Sequence, residues 1–89
     1  MDQIKRWSVT VDIDEHDTRT RARARLDTGD THDLVGVGTA RLNPADRDVP
    51  EIGAELAAGR ALSDLAHRLL DAAAGDIEQI TAQPVQLHP

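Results

Sequence analysis

The stretch DVPEIGAELAAGRALSDLAHRLLDAAA, residues 48–74, reads as one long amphipathic helix. Asp48 followed three residues later by Glu51 fits a capping box, and Pro50 falls in the first turn, where its missing N–H costs nothing. Gly75 stands in the place of a C-cap. Ile52, Leu56, Leu62, Leu65, Ala66, Leu69, Leu70 and Ala73 recur at helical spacing, with Arg60, Asp64, His67, Arg68 and Asp71 on the other side. The apolar set spans an arc of about 160–200°, whereas one contact surface needs only about 100°. Such a helix is expected to bury itself against two neighbours.

Composition points the same way. The chain has 89 residues, many alanines, Trp7 as its one aromatic residue, and no cysteine. Cores take much of their buried area from aromatic side chains, so a lone domain of this make-up is expected to be marginally stable. Oligomerisation is the remedy left when no disulfide can form. No apolar run is long enough for a signal peptide or a membrane span, so a cytoplasmic protein of one domain, residues 1–89, is expected.

Upstream of the helix, residues 6–14 alternate. Trp7, Val9, Val11 and Ile13 lie on one face, with Ser8, Thr10, Asp12 and Asp14 on the other. Residues 19–26 alternate again, with Arg19, Arg21, Arg23 and Arg25 opposite Thr20, Ala22, Ala24 and Leu26. These are two half-buried strands joined by the polar turn Glu15 to Thr18. Keeping both apolar sides inward requires facing residue numbers with an odd sum. The pairs 13–20, 11–22, 9–24 and 7–26 meet that condition, set Asp14 beside Arg19 and Asp12 beside Arg21, and place Trp7 in the core. Asp27 to Thr31 is a second turn. Residues 34–42 form a third strand that is apolar on both faces until Arg41, which implies cover on both sides. Its Gly36 and Gly38 weaken a strand unless another backbone comes close. Which face meets the helix is left open. Beyond Gly75, residues 77–82 suit a short second helix, ended by Pro84.

Charge is unevenly placed within a net of −6. Residues 1–26 carry six basic and five acidic side chains, and the remainder carries four arginines and eleven acids. The alternating arginines are the sharpest chemical feature. At about 6.6–7 Å intervals they approach a phosphate repeat, and they also suit a solvated sheet face partly neutralised by Asp12 and Asp14. Other chemistry finds little footing. His16, His32, His67 and His88 lack the close spacing of a zinc pair. Ser63, Asp64 and His67 share one helix with no second element to complete a catalytic site, and i,i+4 pairs Arg60–Asp64 and Asp64–Arg68 account for the charges there. Gly36 and Gly38 precede Asn43-Pro44 rather than a helix N-terminus, so no phosphate loop is expected.

One resemblance extends this reading. The run Val35 to Arg47, continuing through Val49-Pro50-Glu51-Ile52-Gly53 to Arg60-Ala61-Leu62-Ser63-Asp64-Leu65, resembles a family of small actinobacterial proteins of unknown function. That family includes mycobacterial members induced by hypoxia and dormancy. Ile13-Asp14-Glu15-His16, Arg21 to Leu26, Asp76-Ile77-Glu78 and Gln83-Pro84 resemble it too. The resemblance implies an antiparallel sheet with helices on it, similar to a double-stranded-RNA-binding domain. It also implies a tight homodimer shaped like ribosome hibernation factors, and a role in silencing ribosomes during dormancy. It transfers no catalytic residue.

The combined expectation is a two-layer α+β domain: three antiparallel strands, a helix over about 49–74 and a short C-terminal helix. Ile52, Leu56, Leu62, Leu65 and Leu69, with Gly36 and Gly38, are expected to form the core and the homodimer contact. Arg19, Arg21, Arg23 and Arg25 are expected to bind ribosome or RNA. In the alternative, a non-enzymatic interaction module binds an acidic protein partner by the same strand. No metal, cofactor, membrane or small-molecule substrate is expected.

Overall fold

The computed structural model describes residues 3–29, 34–41, 50–81 and 86–87. Strands β1 (Ser8–His16), β2 (Arg19–Asp27) and β3 (Leu34–Arg41) form an antiparallel sheet in the order β1-β2-β3, and helix α1 (Pro50–Thr81) follows. The protein is thus α+β, with a three-stranded sheet under one long helix. The proposed Asp48 cap and the chain end from Pro84 to Val85 lie outside the described residues.

The alternation does its expected work on β2. Ala22, Ala24 and Leu26 are buried while the intervening arginines are exposed. The register, however, differs from expectation. Val9 faces Leu26, Val11 faces Ala24 and Ile13 faces Ala22, a shift of two residues that preserves the faces. Its cause is a tighter hairpin. Only Asp17 and Thr18 connect the strands, and Asp17 takes φ 54°, the left-handed value that a two-residue hairpin turn needs at its first central position. Consequently Asp14 stands opposite Arg21 and Asp12 opposite Arg23, and Trp7 has no partner in β2. Trp7 is 47% exposed rather than in the core. At the next turn the Gly29 N–H donates to Asp27 Oδ1 at 2.9 Å, an Asx-type closure, and Gly29 takes φ 83°.

The third strand turns Leu34, Gly36, Gly38 and Ala40 toward the helix, since these face Leu26, Ala24, Ala22 and Thr20 across the ladder. The two glycines are where the helix comes down on the sheet. A Cβ at Gly36 would overlap the Ala61 carbonyl oxygen and the Leu65 nitrogen, and would lie 2.8 Å from Leu65 Cα. One at Gly38 would overlap the Ala57 carbonyl oxygen and the Ala61 nitrogen, and would lie 2.7 Å from the Arg60 carbonyl carbon. Around this contact the core consists of Ala22, Ala24, Leu26, Ala40, Ala57, Ala61 and Leu65, with Val11, Leu34 and Leu69 packed against it. Here the lack of aromatics finds its explanation. Small side chains let helix backbone approach strand backbone, and a Phe or Tyr between them would hold the layers apart.

Helix α1 does not stop at Gly75, and among the described residues no separate short helix follows it. It runs unbroken through Thr81, so the two helices expected from sequence are one of 32 residues. A glycine inside a helix costs about 1 kcal/mol relative to alanine but does not forbid the conformation, and Gly75 keeps a negative φ. At 1.5 Å per residue the helix is about 48 Å long, against about 27 Å for β3. Arg68, Asp71 and Ala72 lie beside Leu34 at the start of β3, so the residues beyond them run past the sheet and Ile80 is 85% exposed.

Candidate functional site

Two surfaces are left over once the core is accounted for. The first is the outer face of the sheet, opposite the helix. Because directly paired residues share a face, it is built of cross-strand rows. One end row is His16–Arg19–Arg41, the next Asp14–Arg21–Thr39, then Asp12–Arg23–Val37, then Thr10–Arg25–Val35. Arg19, Arg21, Arg23, Arg25 and Arg41 are all exposed. Among the described residues none of the five has a carboxylate within ion-pair distance; the only such pairs are Arg68–Asp64 and His16–Asp17. Half-buried Val35 and Val37 lie across the ladder from Arg25 and Arg23, which suits the amphipathic build of arginine side chains. The four expected arginines therefore stand together on one face. Arg41 is a fifth that the sequence reading passed over. The signal was present: Arg41 continues the odd-numbered positions of β3, which lie opposite the arginines of β2.

The second surface is the uncovered part of the inner face. Helix α1 lies over β3 and β2 and barely reaches β1. Trp7, Val9 and Ile13 are each close to half exposed, as are Ile52 at 54%, Leu56 and Leu62 on the helix. The residues expected to form one core and dimer contact thus divide. Leu65 is buried and Leu69 half-buried in the chain's own core, and Gly36 and Gly38 hold the chain's own helix. Ile52, Leu56 and Leu62 remain at the surface.

The two edges of the sheet are also unlike. At β3 the Val37 N–H donates to Asp64 Oδ2 at 2.9 Å, and an Arg60 guanidinium N–H donates to the Thr39 carbonyl oxygen at 2.7 Å. Both are backbone groups of the free edge, so side chains of the helix occupy the middle of that edge. Arg60 thereby forgoes its expected pairing with Asp64, whereas the other expected pair forms, Arg68 Nε donating to Asp64 Oδ2 at 3.1 Å. The Val37 N–H, then the Arg68 side chain, hold the Asp64 carboxyl below its ordinary value. A carboxyl lowered in the folded state stabilises above its unfolded pKa, near 4, and loses that contribution as pH falls through the lowered value. Urea midpoints of the wild type should therefore fall between neutrality and strongly acid pH more steeply than those of Asp64→Asn. Equal pH dependence would contradict the edge-covering role.

At β1 the opposite holds. Strand alternation, anchored by the outward Val37 N–H, turns the N–H and C=O of Val9, Val11 and Ile13 away from β2 and onto an unsealed edge. His67 Nδ1–H donates to its own helix at the Ser63 carbonyl oxygen, 2.9 Å away, and no metal-ligating cluster occurs among the described residues. No described helix is long and apolar enough to cross a membrane.

These features define a class: a small α+β domain whose sheet carries arginines outside and a closely seated helix inside. The chain belongs to the Rv2632c-like family, whose profile matches residues 5–86. It is 56% identical over 84 residues to the uncharacterized protein Mb1767 of Mycobacterium bovis, covering 94% of this chain and 88% of that one. It is 54% identical over 81 residues to the uncharacterized protein Rv2632c of Mycobacterium tuberculosis, covering 91% and 86%. The crystal structure of Rv2632c matches with a TM-score of 0.83 at 52% identity, over 93% of this chain and 98% of that one.

Proposed function

We propose that this is a non-enzymatic, cytoplasmic, stress-associated protein that binds RNA, in the ribosome or free, through the outer face of its sheet. The observation that carries the reading is the row Arg19, Arg21, Arg23 and Arg25, exposed and without ion pairs among the described residues. Guanidinium groups recognise phosphate through paired N–H donors, and a row at strand spacing follows a phosphate backbone. The resemblance to dormancy-induced proteins, and through it to double-stranded-RNA-binding domains and hibernation factors, supports the stress and ribosome parts. Retention of RNA on nitrocellulose across a salt series tests it. Affinity should fall steeply as salt rises, because each neutralised phosphate releases counterions. Absence of retention at low salt, with capture of an acidic protein instead, would favour the interaction module.

The same reading includes a homodimer, with its contact at β1 rather than at β3. The β3 edge is covered at Val37 and Thr39 by Asp64 and Arg60, and both its glycines are occupied by the chain's own helix. The β1 edge offers free backbone groups beside the exposed Trp7, Val9 and Ile13, and edges of this kind pair with another strand unless blocked. Antiparallel pairing of two β1 edges makes one six-stranded sheet with both arginine rows on the same side. Sedimentation should give a dimer at micromolar concentration. Ile13→Asp should give a monomer with unchanged helical circular dichroism, and a monomeric wild type would refute the arrangement.

A further inference from the structure

We propose that the end row of the outer face, His16–Arg19–Arg41, is a site for a terminal phosphate or pyrophosphate group, distinct from the rest of the arginine row. It deepens the anion-binding reading of this face. Arg41 stands directly opposite Arg19. Since the odd-numbered residues of β3 turn their backbone groups outward, this is a non-hydrogen-bonded pair, the closer of the two antiparallel spacings at about 4.5 Å between Cα atoms. Like charges directly opposed across strands destabilise a sheet. Elsewhere the face avoids this: Arg21 and Arg23 meet Asp14 and Asp12 on one side and Thr39 and Val37 on the other, and Arg25 meets Thr10 and Val35. Only the end row sets guanidinium against guanidinium, with His16 as third member.

The surrounding groups sharpen the contrast. Among the described residues the acid within ion-pair distance of this row is Asp17, 3.8 Å from His16 Nε2 and not paired with either arginine. Arg60 reaches the same strand edge two residues before Arg41, where it bonds the Thr39 carbonyl oxygen and has no carboxylate partner among the described residues. An oxyanion between Arg19 and Arg41 would turn the repulsive pair into a clamp of paired N–H donors. A terminal phosphate suits it better than an internal phosphodiester, because it brings a charge of about −1.5 to −2 and three acceptor oxygens instead of one charge.

The experiment measures thermal unfolding of the full chain against inorganic pyrophosphate, with sodium chloride at equal ionic strength as reference. At ten times the dissociation constant, pyrophosphate should raise the wild-type midpoint by about 5–10 °C. Arg41→Gln should unfold slightly higher than wild type without ligand, because the repulsion is relieved, and should bind pyrophosphate about tenfold or more weakly. Arg25→Gln, at the far end of the row, should bind it as wild type does. Equal weakening in both variants, or no gain over chloride, overturns the site. A matched pair of oligoribonucleotides, 5′-phosphorylated and 5′-hydroxyl, separates the sources of the ligand. Tighter binding of the phosphorylated form assigns the site to an RNA end, and equal binding with pyrophosphate protection retained assigns it to a free oxyanion. RNA retention that depends on Arg21 and Arg23 is a separate readout, so failure of either idea is distinguishable from failure of the other.

Discussion

Gly38→Val should cost this domain about 3 kcal/mol or more, despite the higher strand propensity of valine. Overpacking ordinarily costs about 1–3 kcal/mol because neighbouring side chains yield. Here the atoms in the way are backbone atoms of Ala57, Arg60 and Ala61, and no rotamer change can move them. A small domain has about 5–15 kcal/mol in hand, toward the lower end at this size, so the variant should unfold at much lower urea or fail to fold. The paired control is Gly59→Ala. Gly59 lies on the same helix with nothing within 4 Å of a Cβ there, and alanine should stabilise by about 0.5–1 kcal/mol through helix propensity alone. Urea melts of the two proteins should shift in opposite directions. A higher midpoint for Gly38→Val would mean that the helix does not sit on the strand backbone as described.

That contact also marks how far the sequence could be read. Alternation on β2 and the parity of the hairpin were legible, because a one-residue slip would bury four arginines and no fold tolerates that. A two-residue slip carries no such penalty. The choice was made by Asp17 accepting a left-handed conformation, which the letters Glu15-His16-Asp17-Thr18 do not distinguish from a longer turn. Trp7 went wrong with it: moving the register by two leaves it beyond the end of β2, on a face the helix does not cover. Gly36 and Gly38 signalled a close neighbour but could not say whether it was the chain's own helix or another copy. Gly75 gave a stop signal that the helix overrides, since a glycine makes a helix weaker without ending it. The over-wide apolar arc was legible and remains only partly used, with Ile52, Leu56 and Leu62 at the surface.

Replacing Arg21 and Arg23 together with glutamine should reduce the slope of log affinity for RNA against log salt by about 1.5–2, as expected for two lost phosphate contacts. Glutamine keeps hydrogen-bonding groups and a comparable stem, so the change isolates charge. Stability should move little, since exposed cross-strand neighbours such as Asp12 and Asp14 contribute about 0–1 kcal/mol each. The row was the part of the site most legible in sequence, because alternation fixes four arginines on one face whatever the register. Arg41 and His16 were not, because joining them to Arg19 requires knowing which residues of three strands share a row. An unchanged slope with full affinity would reduce the row to a solvated sheet face.

The most direct test maps where RNA touches the protein. In nitrogen-15 spectra of the labelled protein, a short single-stranded RNA should shift the Nε–Hε signals of Arg19, Arg21, Arg23, Arg25 and Arg41, together with backbone amides of β2. Signals from Trp7, Ile13 and the helix at Ala57 to Leu65 should stay in place. Shifts confined to Trp7, Ile13 and Leu56, or no arginine shift at saturating RNA, would contradict an RNA-binding outer face.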